Sequence, residues 1–281
     1  MATTAAPRTS RRSTVGAIRV VLPLVGHAVR AQLRLVTAVA ALMVGMGLLV
    51  GSLWPSLQDT LAEMQAALPD AFATILAGAD MSTASGWANA EMMSMVAPAG
   101  VIVVAVVSAT KATAGEEQDK TLGLLLGAPV TRSAFLVAKT VAMVVHALLV
   151  AGAVGVGLAL GSVVGDMGLS LPGVAAVALH TWLLGVVFGA VAIAVGAGTG
   201  DRRVTLAVAA GLAVAAFAVA SFLPLSSSLA DGVRVSPWYY FNSSDPLAHG
   251  ADIAHLTVLL VTAVVVAAVG VLRFRRRDLR G

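Results

Sequence analysis

The chain has 281 residues, of which 58% are hydrophobic and only 11% charged, with a mean hydropathy of +0.92 and a net charge of +4. An average soluble domain is roughly 45–50% apolar and about 25% charged, so this chain cannot cover a water-facing surface and its solvent is largely lipid. It has no cysteine, which excludes disulfide scaffolds, thiolate metal sites and cysteine nucleophiles, and its basic residues lie beside apolar runs, which argues against nucleic acid as a partner.

In chain order, the first element expected is an amphipathic helix over residues 12–32. Arg12, Arg19, His27, Arg30 and Arg34 fall within about 80° of one another on a helix, with Val15, Ile18, Leu22 and Val25 on other faces. Such a helix lies on the membrane surface, with a bend at Pro23; a frayed basic tail that only sets topology is the alternative. The interruptions at Arg19, Arg30 and Arg34 disfavour a secretory signal peptide. Six apolar runs follow: Leu33–Trp54, Met92–Thr113, Ala134–Val163, Gly173–Gly198, Val204–Leu225 and Ala254–Arg273. Each is long enough to cross a hydrocarbon core of about 30 Å, and continuous apolarity over such lengths reads as helix. Every Lys and Arg except Arg234 falls at one side of these six spans. The positive-inside rule then places both termini of this multi-pass protein in the cytoplasm, with Asp59, Asp80, Glu91, Asp166 and Asp245 outside.

The connections also carry pattern. Leu57, Leu61, Met64 and Leu68 recur with helical spacing in the first external loop, and Ala71 to Gly78 suit a further short helix. Ser236-Pro-Trp-Tyr-Tyr-Phe241 is an aromatic cluster suited to the outer membrane interface. No linker or second domain is evident, so the fold class is an all-α integral membrane protein of one permease-like domain.

The chain holds no power source. It has no Gly-Lys pair, hence no phosphate-cradling loop, and no H-E-x-x-H or Ser/His/Asp arrangement. No catalytic residue is expected. Polar character is densest between spans two and three. Thr113 and Glu116 have the spacing of a capping box, and Glu117 and Asp119 suit a positive helix N-terminus. Leu122, Leu125 and Leu126 then line one side, and Gly127 and Pro129 stop the helix. Residues 114–128 are expected to form a short helix, acidic at its start and apolar on one flank. It either packs on its own bundle or plugs a groove on a cytoplasmic partner.

Arg132, Lys139 and His146 recur every seven residues on span three, which places His146 about 21 Å beyond Arg132 and near mid-membrane. Lys139 either snorkels to the interface or faces a cavity; His146, and His180 on span four, are either packed or line a pathway. Gly47 with Gly51, Gly157 with Gly161 and Gly165, and Gly185 with Gly189 repeat every four residues and allow close helix approach, within the bundle or at a subunit interface. His249, Asp252 and His255 have metal-compatible spacing, but without a further ligand nearby they read as a solvated helix start, so no metal site is expected.

Gly115-Glu116-Glu117, Thr121-Leu122, Leu124-Leu125-Leu126, Pro129-Val130 and Arg132 resemble the coupling region of ATP-binding-cassette exporter permeases of the type-2 class. Leu68-Pro-Asp-Ala-Phe72 with Asn89-Ala-Glu91 looks like the first external loop of that family, Ser236-Pro-Trp-Tyr-Tyr240 with Asp245-Pro-Leu247 like its last, and Phe274-Arg-Arg-Arg-Asp-Leu279 like its C-terminal tail. The resemblance covers nearly the whole chain. It implies a six-span subunit that pairs with a second permease, as a homodimer or heterodimer, and binds two cytoplasmic ATPase subunits, which carry the ATP and Mg. It also implies that Glu116, Glu117, Thr121, Leu122, Leu125, Leu126, Pro129 and Arg132 contact those ATPases. The expected cargo is an amphipathic small molecule such as a drug or antibiotic, moved outward by alternating access. An ion-coupled secondary transporter or channel is the competing class, and the lack of a mid-span Asp or Glu counts against it.

Overall fold

A computed structural model describes residues 22–67, 80–118 and 131–276. No strand occurs among them, and six helices are long and apolar enough to cross a bilayer. A short helix, α1, covers 22–30 and turns at 31–32 into α2 (Leu33–Ala67). The second span is compound. It runs from the short helix Ala84–Ala88 through a π-helical turn, Asn89–Met93, into α3 (Val96–Thr110), and ends in a second π-helical turn, Lys111–Gly115. Helices α4 (Arg132–Val164), α5 (Leu171–Thr199) and α6 (Arg202–Phe222) follow. Two short helices, α7 (Pro237–Asn242) and α8 (Pro246–His249), precede the last span, α9 (Ile253–Arg276).

Local chemistry sets these boundaries. Thr131, Ser170 and Asp201 cap α4, α5 and α6, their side-chain oxygens accepting from backbone N–H groups two or three residues on. Pro172 sits in the first turn of α5, where its missing N–H costs nothing. Gly200 ends α5 at φ +64°, a left-handed conformation that glycine adopts without a Cβ penalty.

All six expected spans are present, several of them longer than their apolar runs. The first continues beyond Trp54 and through Pro55 to Ala67, because Leu57 and Leu61 find the apolar core to pack against. The segment read as a separate loop helix is thus the outer end of span one. The second begins at Ala84, eight residues before Met92, because Thr83 caps it and Trp87 and Asn89 both find buried partners. The N-terminal helix is described only over 22–30. Leu68-Pro-Asp-Ala-Phe72, the expected helix at 71–78, and the C-terminal tail beyond Arg276 lie outside the described residues.

Helix α5 is the axis of the bundle and packs against α3, α4, α6 and α9. Of its apolar stretch, 78% is buried, against 11% for α6, which lies at the periphery. Helix α2 is held chiefly by α4. A Cβ on Gly47 would collide with Gly157, one on Gly51 with Gly161, and one on Gly165 with Gly51. The glycine stripes of these two helices therefore form one backbone-to-backbone seam inside the subunit. Gly185 and Gly189 likewise face Val101 and Met143 of the same chain. The subunit-interface alternative for these stripes gives way to intrachain packing, where only glycine permits such close approach.

Candidate functional site

The ends of the bundle differ. One, the basic end, gathers α1, the second π-helical turn, the start of α4, the α5–α6 turn and the end of α9. A buried polar cluster ties α1, the α1–α2 turn, α3 and α4 together there. His146 of α4 is 1% exposed; its Nε2 lies 3.1 Å from the Val29 carbonyl of α1 and its Nδ1 2.5 Å from Ser108 Oγ of α3. A carbonyl only accepts, so Nε2 carries a hydrogen. Gln32, at the α1–α2 turn, donates through Nε2 to the Ser108 carbonyl at 3.4 Å. The imidazole thereby bridges three elements.

Two turns nearer the end of α4, Lys139 pairs with Glu116, which follows the second π-helical turn of span two. Their side chains are 5% and 21% exposed, so the lysine does not snorkel outward; its charge is compensated inside. Its ammonium also sits over the Phe135 ring, 5.2 Å from the centroid. A cavity of about 90 Å³ lies between these groups, walled by Gln32, Ser108, Lys111, Glu116 and Lys139 and by alanines of α1, α3 and α4.

His146 lies 14 residues beyond Arg132 and 18 before Val164, about 21 and 27 Å along α4 at 1.5 Å per residue, so it sits close to the middle of that helix. Thr113 does not act as the cap of a coupling helix. It is buried within the π-helical turn and its hydroxyl donates to the Ala109 carbonyl at 2.8 Å. The capping-box spacing fails because span two continues through Gly115, leaving Thr113 an intrahelical acceptor four residues back. Glu117 falls in the short turn Glu116–Gln118, and Arg132 is the first residue of α4. Thr121, Leu122, Leu125, Leu126 and Pro129 lie outside the described residues.

His180 belongs to the opposite end. It is fully buried, and its Nδ1 donates to the Tyr240 carbonyl of α7 at 3.1 Å. Helix α7 does not rest at the membrane surface as the aromatic cluster suggests; it dips into the bundle. Phe241 is fully buried, and the Trp238 ring packs on Phe188 and Phe217 at centroid distances of 6.4 and 5.2 Å. Phe188 is 17 residues beyond Leu171, about 25 Å along α5. Contacts of the Trp238 ring with Phe188, Phe217 and Phe241 outweigh its interfacial solvation. Ser236 secures the dip, its hydroxyl donating to the Ala216 carbonyl of α6 at 2.7 Å.

Asn89 and Asp245, which sequence reading placed in separate motifs, meet here: Asn89 Nδ2 donates to Asp245 Oδ1 at 2.6 Å across 156 residues. Asp245 adopts φ +44° to do this while also capping α8. His255 stacks against Tyr239 and Tyr240, and its backbone N–H donates to Asp252 at 3.0 Å. That bond holds the Asp252 carboxyl below its usual range. No group of three or more His, Cys, Asp or Glu with metal-binding geometry occurs among the described residues.

The three candidate pathway residues therefore split. Lys139 and His146 share the basic-end cluster, whereas His180 sits under α7. Sequence reading missed Gln32 and Ser108. Ser108 is a polar break in an apolar run, but a serine there bonds its own backbone as readily as a distant histidine. A family model described as "multidrug efflux system permease Rv1217c, C-terminal domain" matches residues 23–275. No individually curated protein matches the chain.

Proposed function

The chain belongs to the multidrug efflux permease family that matches it from residue 23 to residue 275, and from this premise we propose that it is the membrane-spanning subunit of an ATP-driven exporter of the ATP-binding-cassette class. It is a multi-pass membrane transport protein, and in this reading ATP hydrolysis belongs to a separate subunit. In this reading, ATP closes a pair of cytoplasmic ATPases against the segment between α3 and α4. The push passes into the bundle and switches it between inward-open and outward-open states by movement of packed helices. Both termini are then cytoplasmic, and the membrane is the bacterial plasma membrane. Cargo is an amphipathic small molecule of the drug or antibiotic kind, in keeping with the multidrug name of the family.

The observation that carries the mechanical part is the Glu116–Lys139 pair. The connecting segment leaves span two beside Glu116 and returns at Arg132 into the helix that bears Lys139. Both ends of the segment are clamped to one another inside the basic end, and His146 and Ser108 extend that clamp to α1. A force on the segment therefore moves α1, α3 and α4 together and is not lost in slack chain. Lys139 and His146 act in this reading as positioning residues. His180, which holds α7 across the opposite end, is the remaining pathway candidate.

A second permease completes the transporter. The exposed apolar faces of α2 and α6 support this pairing. The test is co-purification with the cognate ATPase: a Leu122→Ala, Leu125→Ala variant should insert normally yet lose ATPase recruitment. Normal recruitment in that variant means the contact lies elsewhere.

A further inference from the structure

We propose that the cavity at the basic end is a binding site for the headgroup of an anionic phospholipid, a phosphodiester that also carries a hydrogen-bond donor. The argument begins with the charges. Lys111 and Lys139 line the cavity with Glu116, so two ammonium groups face one carboxylate and the walls carry a net positive charge. Among the described residues, one of the three N–H donors of Lys139 goes to Glu116, and the Lys111 side chain is exposed at the rim. A negatively charged oxygen has donors waiting for it.

Gln32 adds the second half of the specificity. It is 7% exposed and lines the same cavity; its Nε2 is committed to Ser108, while its Oε1 is buried with no partner among the described residues. A buried acceptor left alone carries the full desolvation penalty of that group, so a donor belongs beside it. Bare phosphodiester oxygens cannot supply one; a headgroup hydroxyl or ammonium on the same molecule can. The volume, about 90 Å³ against the roughly 10–15 Å³ that a single water needs, admits a group larger than one water.

The level fits a lipid. Gly115 packs against the Arg202 guanidinium at the start of α6, where an apolar span gives way to charge. Lys111 lies one turn inward of Gly115, the depth at which headgroup phosphates meet the hydrocarbon. Exposed Arg30 and Arg34 flank the α1–α2 turn, and exposed Leu22 and Leu33 offer apolar surface beside it for the acyl chains. A lipid held there would wedge α1 against α3 and α4. It is independent of the ATPase partnership, because every group involved is in this chain.

The experiment uses the purified full chain in nanodiscs of phosphatidylcholine alone, or mixed with phosphatidylglycerol or with phosphatidylmethanol, which has the same charge and no headgroup donor. Retained lipid is counted by native mass spectrometry after release. Wild type should retain one phosphatidylglycerol in preference to phosphatidylmethanol. Lys111→Gln should weaken retention about fivefold, the effect of one Lys near an anionic surface, and Lys111→Arg should restore it. Gln32→Leu should erase the preference for phosphatidylglycerol over phosphatidylmethanol while total retention stays. Equal retention by wild type, Lys111→Gln and Gln32→Leu would overturn the site. Displacement of the lipid by inorganic phosphate alone would assign the cavity to a free anion and overturn the headgroup.

Discussion

Lys139 and Glu116 illustrate how a charge is kept inside a lipid-facing bundle. Each supplies a charge that compensates the other's. Replacing Lys139 with Met leaves the Glu116 carboxylate against an apolar side chain. The expected loss is on the order of 2–3 kcal/mol, below the roughly 3–5 of a fully buried pair, because Glu116 keeps 21% exposure. The thermal midpoint of the purified protein reads this directly, and a Lys139→Met, Glu116→Gln double variant should recover most of the loss. An unchanged midpoint in the single variant would mean the pair is dispensable. His146→Leu should also lower the midpoint, since it strands the Val29 carbonyl and the Ser108 hydroxyl together.

Asp252 gives a pH-dependent effect at the opposite end. Its carboxyl is held below the usual range, first by the hydrogen bond from the His255 backbone. A carboxyl whose folded pKa is depressed contributes stability above its unfolded pKa, and that contribution is lost as the pH falls through the folded value. The first turn of α9 should therefore fray on acidification before the rest of the helix, visible as faster amide hydrogen exchange over residues 253–256. Asp252→Ala, which removes the acceptor, should fray it already at neutral pH. No difference between wild type and Asp252→Ala at neutral pH would remove the capping account.

At the scale of the element, the α2–α4 seam is the strongest constraint on sequence. Gly51→Ala or Gly161→Ala places a methyl group against backbone that cannot move aside, and overpacking of this kind costs about 1–3 kcal/mol. Gly152→Ala, where a Cβ meets nothing within 4 Å, is the control and should be neutral or slightly stabilising. Comparable thermal midpoints for all three variants would show that α2 is not seated on α4 in this way.

The spans were legible because apolarity over some twenty residues has one physical solution in lipid. The glycine seam was legible as a potential for close approach, but spacing carries no information about which helix approaches. Leu57 and Leu61 show a different limit: their helical period was clear, yet period cannot tell a separate loop helix from the extension of a span. Thr113 shows a third, since the capping-box pattern is local, whereas the π-helical continuation of span two packs against tertiary partners at Gly196 and Arg202. The basic-end cluster was half visible. The seven-residue recurrence of Lys139 and His146 marked one face of span three, but Gln32, Ser108 and the Val29 carbonyl come from elements 38 to 117 residues away.

At the scale of the whole molecule, the two ends are built for different tasks in the proposed cycle. The basic end is clamped across α1, α3 and α4 around the segment through which force would enter. The opposite end is covered by α7, whose aromatic side chains reach deep into the bundle and whose backbone is held by His180 and Ser236. In the proposed orientation the basic end faces the cytoplasm. Because the chain has no cysteine, single cysteines can be placed at Gln65, Gln118, Ser244 and Asp278 without background. A membrane-impermeant thiol reagent applied to intact cells should label positions 65 and 244 and spare 118 and 278. Strong labelling at 118 would invert the protein.

The central claim is that this permease moves cargo only when a separate ATPase drives it. The direct measurement is transport of a fluorescent amphipathic drug in inverted vesicles containing the permease pair, with and without the cognate ATPase. The account predicts accumulation inside the vesicles that requires both the ATPase and ATP, and that is abolished when the nucleotide cannot be hydrolysed. Accumulation by the permease alone, driven by a proton or sodium gradient and indifferent to ATP, would contradict it.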